Sequence, residues 1–534
     1  MAIAIAPVIA SAFVSIGIGA ATAAILGQVV VIAIGLGITM LAQMLFSSKP
    51  AQPKPSDGQT ILRQPTAPRT RAYGRVKVGG ILVFANTQQG AYGRVIAMGS
   101  GEIDAVEEHW IDDHLCTLSG TMVTSPPFVP HGEHHAFIDF RLGTDSPLPY
   151  SDLIAAYPSL WTDQHLGRGI PSAFLVLQQA KSEDMGDIFP QYGNTGYRQV
   201  QRGAKVPNIF GGALTAPAWS DNAARIILDY LTHPDGLRLD PSWITNADVD
   251  WGTAIAICDE PIALAAGGSE SRYRIWNTYR FDERPADVLA RFLNACDGTI
   301  FPTPAGGLSL KVGKWTTPTV TIGDDAILGF SEFGRGRDVL TTANTIRARY
   351  TSPDHDYLET DADPWVDEFD VAERGEFAVD FDLFPVPSHT QARRLMKIAA
   401  YRANPDWVGV LMCNLRALPV MGERYINVVI SELGIAETFE VVNVQLTIEQ
   451  GTILTGVRLQ IASLAAAAYD WDTMTETTRS VTPDINAVRT ADGNIVTTGS
   501  ANVVTVLIDE GRPPSIPPSI VRDNEIPPPT GFSA

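Results

Sequence analysis

The chain runs to 534 residues and carries 39 Lys and Arg against 59 Asp and Glu, a formal charge of −20. Its length exceeds what one core fills, so several domains are expected; the excess of carboxylates excludes a groove that grips nucleic acid through clustered cations. Cys116, Cys258, Cys296 and Cys413 form no C-x-x-C pair, which excludes a zinc ribbon or dithiol motif and fits buried thiols made in a reducing compartment.

From Met1 to Ser48 there is no charged side chain. A helix needs ~20 apolar residues to cross a bilayer, and residues 2–26 and 29–46 each approach or exceed that length. With only Gly27 and Gln28 between them, the segment is one long helix or a tight helical hairpin. Gly17, Gly19, Ala23, Gly35 and Gly37, helped by Ala20, Ala24 and Ala33, are the expected contact positions, because small residues let helices approach closely in lipid. A signal peptide would carry a positive n-region, and a buried core helix would carry a polar face; neither is present. Residues 1–48 therefore read as a membrane-active helical segment.

Residues 49–72 follow as a Pro-rich linker. Across 49–77, Lys49, Lys54, Arg63, Arg69, Arg71, Arg75 and Lys77 face only Asp57, a charge that suits anionic lipid headgroups.

The body reads as mainly β with α+β parts. Short alternating runs punctuated by Gly, such as "GRVKVGGILVFANT" and "SAFLVLQQA", predict a β-rich unit over 73–216. Residues 217–325 read as a small α+β unit. Its first helix places Ala224, Ile227, Leu228 and Leu231 on one face, with Ser220 or Asp221 as cap and Pro234 and Gly236 beyond its end. Further helices are predicted over Ala247–Cys258 and Pro285–Cys296, then a hairpin turning at Pro304–Gly307. Strands resume over 326–468, predicted as a β-barrel unit and interrupted by one helix that opens with a Ser388/Gln391 capping box. Residues 469–534, rich in Thr, Asn and Pro, read as an extended tail with at most a hairpin at Asp492–Gly493.

Two clusters invite a chemical reading. His109, His114, His131, His134 and His135 lie near Glu107, Glu108, Asp112, Asp113 and Glu133, so a zinc or manganese site is conceivable. "EEHWIDDHLC" lacks the H-E-x-x-H spacing, however, and reads as strand, Asp-Asp turn, strand with exposed polar side chains. Between Asp354 and Asp382 twelve carboxylates face Arg374 alone. Val366 occupies the position where an EF-hand counted from Asp361 requires Gly, so the stretch reads as a solvated acidic loop. Hydrolase-elbow, phosphate-loop and dinucleotide motifs are absent from the sequence, and no catalytic residue, metal ligand or cofactor is assigned.

Taken in order, "RQPTAPRTRAYGRVKVGG", "GEIDAVEEHWIDDH", "WSDNAARIILDYLTHPDGL", "RPADVLARFLNACDGTIFPTPAGGLSLKVGKW" and "SHTQARRLMKIAAYRANP" resemble the central tail-tip or baseplate hub proteins of long-tailed phages. That family includes lambda-like host-specificity proteins and gene-transfer-agent hubs; the resemblance covers about 60–468. The final "PPPTGFSA" resembles the start of a fibronectin-like module carried by longer relatives. The resemblance implies a non-enzymatic homotrimer capping the tail tube at the virion's tail tip and assembled in host cytoplasm. Two tube-like β-barrels per chain would then form a pseudo-sixfold ring. The implied partners are the distal tail protein, the tape-measure protein, neighbouring tail-tip proteins and fibres, with DNA passing transiently and non-specifically. Residues 1–48 would be released into the host inner membrane; some carboxylates of Asp354–Asp382 and other loops would line the lumen, the alternative being that the acidity serves only to keep an oligomeric surface soluble. The alternative is a membrane-anchored envelope metalloenzyme or adhesin using residues 107–135. Trimeric state without metal, against a monomer with stoichiometric metal, separates the two.

Overall fold

In the computed structural model the described residues are 52–63, 67–265, 267–303, 305–335, 342–449, 453–473, 488–489 and 495–496. The uncharged segment, with Gly17, Gly19, Ala23, Gly35 and Gly37, lies outside them. Among the described residues no helix is long and apolar enough to cross a membrane. Among the described residues of the tail, Val488–Arg489 pairs antiparallel with Ile495–Val496, bracketing Asp492–Gly493 as the sequence predicts.

The fold is mainly β. A first six-stranded sheet runs in the order Ile81–Gln88, Ala91–Ala97, Pro171–Gln178, Ala136–Leu142, Met122–Val123, Leu118–Ser119. Beside it, strand Tyr197–Val206 pairs with Ile103–Ile111, Arg75–Val78 and Ala218–Trp219. The predicted turn is present: Ile103–Ile111 and His114–Cys116 pair antiparallel around Asp112 and Asp113. Ile96, Ile111, Val123, Phe128, Ile138, Leu175 and Val200 are among the apolar side chains packed into one core there.

Helix Ala223–Thr232 buries Ala224, Ile227, Leu228 and Leu231 as predicted, and Ile226 and Tyr230 besides. Its cap is Asn222, whose side chain accepts from Arg225 N at 3.2 Å. Ser220 instead accepts from Asn222 N, and Asp221 accepts from Trp276 Nε1, so the helix starts later than Ser220 or Asp221 would set it. The chain then turns so tightly that a Cβ on Gly236 would sit 2.0 Å from Tyr230 O. Helices Asp248–Asp259 and Pro285–Ala295 and the hairpin Thr299–Pro302/Leu308–Lys311 complete this region.

The interval 326–468 contributes most of its buried side chains to two cores. Strands Thr345–Ser352 and Ala378–Leu383 and helix His389–Ala403 pack Ile346, Phe381, Leu395 and Met396 against Phe292, Tyr279 and the helices before them. A separate core, with Leu411, Ile426, Val428, Phe439, Leu459 and Ile461, lies on a second six-stranded sheet. Its order is Thr321–Ile322, Tyr425–Ile430, Ile435–Glu449, Ile453–Ser463, Trp407–Cys413, Ile327–Arg335.

Candidate functional site

The histidines of 107–135 are not gathered around a common point. His109 is buried, with Nδ1 2.8 Å from the Tyr197 hydroxyl, and burial pushes it down to about 4. His114 meets the edge of Phe128, and His134 Nδ1 contacts Val123 O at 2.8 Å. His131 lies 3.6 Å from Asp184, and His135 is buried, 4.0 Å from Glu133. Among the described residues no group of three or more His, Cys, Asp or Glu is placed to hold a metal ion. The expectation of exposed hairpin side chains fails for His109, because alternate positions of its strand face the core, and for His135, which is buried just before strand Ala136–Leu142.

The acidic stretch is likewise not a loop. It forms strands Leu358–Asp361 and Trp365–Val366, helix Glu368–Arg374 and strand Ala378–Leu383. Strand Thr345–Ser352 runs through the middle of this sheet and supplies the missing cations. Its parallel register sets Arg349 opposite Asp382, at 2.6 Å, and Arg347 reaches Glu376 at 2.7 Å. Asp370 pairs with Arg374, and Asp367 caps the helix by accepting from Asp370 N. Asp361, Glu368, Glu373 and Asp380 remain exposed.

The basic stretch also needs correction in part. Arg71 and Lys77 are buried. Arg71 donates to Asp229 at 2.9 Å, Tyr73 donates to the same carboxylate at 2.7 Å, and Lys77 Nζ lies 3.7 Å from the Trp110 ring centroid. Pairing of Thr70–Tyr73 with Asn277–Arg280 carries Arg71 into the interior, and pairing of Arg75–Val78 with Tyr197–Val206 carries Lys77 there.

The densest polar site lies where the loop after helix Pro285–Ala295, helix His389–Ala403 and the second six-stranded sheet meet. Arg402 grips Asp297 through both terminal nitrogens and reaches Glu440 at 2.8 and 2.9 Å. Arg424 donates to Asp297 Oδ2 at 2.7 Å, Asp297 O at 2.9 Å and Glu440 Oε1 at 3.1 Å. Tyr469 donates to Asp297 at 2.8 Å and accepts from Tyr425 at 2.7 Å. All four charges are buried. Burial opposes the ionised form of Asp297, but the two guanidiniums win and hold its carboxyl below the usual range. With two cations against two anions, removing one partner strands another, so the cluster fixes one geometry between three elements. Sequence reasoning missed it: its members span 297–440 and each looks like a surface charge.

No thiol here is an activated nucleophile. Burial pushes Cys116 and Cys258 up to about 12 and Cys413 to about 11, and Cys296 well above its usual value.

Each six-stranded sheet ends in a long edge strand, Ile81–Gln88 in one and Ile327–Arg335 in the other. Outward side chains there include Val83, 59% exposed, and Leu328, 70% exposed. Protein edges are ordinarily blunted with charge or proline to prevent strand addition, and Ile81–Gln88 has neither.

No protein-family model and no curated protein matches the sequence. Among solved structures, a chain from the virion of a native gene transfer agent particle is similar at 14% identity and a TM-score of 0.52, over 82% of this chain and 94% of that one. The two chains share a fold. The prophage MuSo2 43 kDa tail protein of Shewanella oneidensis also matches, at 10% identity and a TM-score of 0.27, over 75% of this chain and 99% of that one. A tail protein of Neisseria meningitidis MC58 matches at 11% identity and a TM-score of 0.28, over 74% and 96% of the two chains.

Proposed function

We propose that this chain is a structural protein of a phage-type tail: a homotrimeric hub at the tail tip through which DNA leaves the particle. The observation that carries this reading is the shared fold with a gene-transfer-agent virion chain along 82% of this sequence and 94% of the other. The two sheets with long edge strands support it, since three copies would offer six such sheets to a ring joined by like subunits, with Leu62 bridging only the start of Ile81–Gln88. In this reading the two sheets are the tube-like units. The distal tail protein and tape measure contact the ring, other tip proteins and fibres surround it, and residues 1–48 enter the host inner membrane on infection. The alternative of an envelope metalloenzyme or adhesin gains nothing from the scattered histidines at 109, 114, 131, 134 and 135.

Mass photometry of the full-length chain in detergent tests the oligomer. A three-chain species without bound metal supports the hub, and a stable monomer at micromolar concentration sinks it.

A further inference from the structure

We infer that a cleft beside the buried ion cluster binds a neutral carbohydrate. The cleft measures about 720 Å³, within the range of small-molecule sites, and is bordered by Trp315, Tyr401, Asp406, Asn427, Glu437 and Thr438. No Lys, Arg or His lines it. A phosphate or carboxylate ligand would meet uncompensated carboxylates there, whereas a sugar offers hydroxyl donors that carboxylate and amide oxygens accept. Sugars also carry an apolar C–H face, and aromatic rings supply a surface for it.

The aromatic wall is held in place. The Trp315 ring lies 4.7 Å from that of Tyr425 and 6.4 Å from that of Tyr469. Tyr425 donates to Tyr469 at 2.7 Å, Tyr469 donates to Asp297 at 2.8 Å, and Arg402 donates to Tyr469 at 3.0 Å. The four buried charges thus anchor the platform from behind, a rigid support of the kind that lowers the ordering cost of binding. On the polar side Thr438 donates to Asn427 Oδ1 at 3.1 Å and orients that amide, while Asp406 and Glu437 are exposed at the rim.

The inference does not depend on the trimeric hub, and its test is separate. Saturation-transfer NMR on the full-length chain is run with maltotriose, cellotriose and tri-N-acetylglucosamine, and tryptophan fluorescence gives the affinity. Transfer to at least one sugar is expected, weakened roughly tenfold by Asp406→Ala or Glu437→Ala, the scale of one lost hydrogen bond to a charged acceptor. Both positions are exposed, so the variants should fold; circular dichroism confirms it. Absence of transfer from all three sugars at millimolar concentration overturns the proposal. So does transfer that survives unchanged in the Asp406→Ala/Glu437→Ala double variant, or a map of the assembly in which a second copy fills the cleft.

Discussion

His109 Nδ1 and the Tyr197 hydroxyl, 2.8 Å apart, begin a buried relay in which Tyr197 donates to Gln199 at 3.1 Å and Gln199 to Gln201 at 2.7 Å. Burial disfavours the charged imidazolium, and this is what holds His109 neutral. Burial sets its folded value at about 4, below the ~6.5 of an unfolded chain. The unfolded state therefore takes up the proton first as pH falls. Stability from this site is full above about pH 6.5 and is lost down to about pH 4, by roughly 3 kcal/mol. Urea midpoints at pH 7 and 4.5 should fall further in the parent than in His109→Leu; equal slopes would show that His109 does not drive the loss.

Arg402→Met should destabilise by roughly 3–5 kcal/mol, since it leaves the Asp297 and Glu440 carboxylates buried beside Arg424 alone. Adding Glu440→Gln should restore part of that loss by removing the excess charge. Equilibrium denaturation of the two single variants and the double variant measures the coupling; simple additivity would mean that the cluster is not one unit.

Ser388 and Gln391 are not the reciprocal capping box that their spacing predicts. Ser388 accepts from Gln391 N at 3.3 Å, but the Gln391 amide accepts from Arg274 N at 3.1 Å and donates to Arg274 O and Ala295 O at 3.0 and 2.8 Å. Gln391→Ala should therefore cost roughly 2–3 kcal/mol, against about 1 for Ser388→Ala. Thermal denaturation of the two variants ranks them, and the reverse order would contradict this account.

A peptide of residues 1–48 should form helical oligomers in bilayers and release dye from liposomes. Gly35→Asp should weaken insertion by ~2.5–3.5 kcal/mol if that position lies near the bilayer centre. Circular dichroism with and without liposomes reads the outcome; a peptide that stays soluble and unhelical removes the membrane role.

For the conduit, the exposed carboxylates Asp361, Glu368 and Glu373 are the ones to reverse, because the paired ones would disturb the fold. Changing all three to Lys should slow DNA ejection while tails still assemble, since a basic wall holds phosphates. The defect should shrink in high salt as screening weakens the attraction. Unchanged ejection kinetics would place these carboxylates away from the DNA path.

Local signals carried the helices and turns. Pro285 at a helix start and the Asp112–Asp113 turn were legible because neighbours in sequence set those geometries. The long-range pairings were not. Arg71 reads as one more cation of a basic stretch until Asp229, far along the chain, is brought to 2.9 Å from it. Gln391 fits a local motif equally well in both of its roles, and only the approach of Arg274 decides between them. The acidity of 354–382 misleads for the same reason, since its arginines sit on a strand that precedes it.

The pairing of Thr70–Tyr73 with Asn277–Arg280 also bears on synthesis. At the usual rates of translation, the later strand leaves the ribosome roughly 10–40 s after the earlier one. Through that interval the earlier strand waits with an open edge, and the uncharged residues 1–48 are already outside. A nascent chain of this composition is a natural client for chaperones, and its yield should depend on how soon residue 280 emerges.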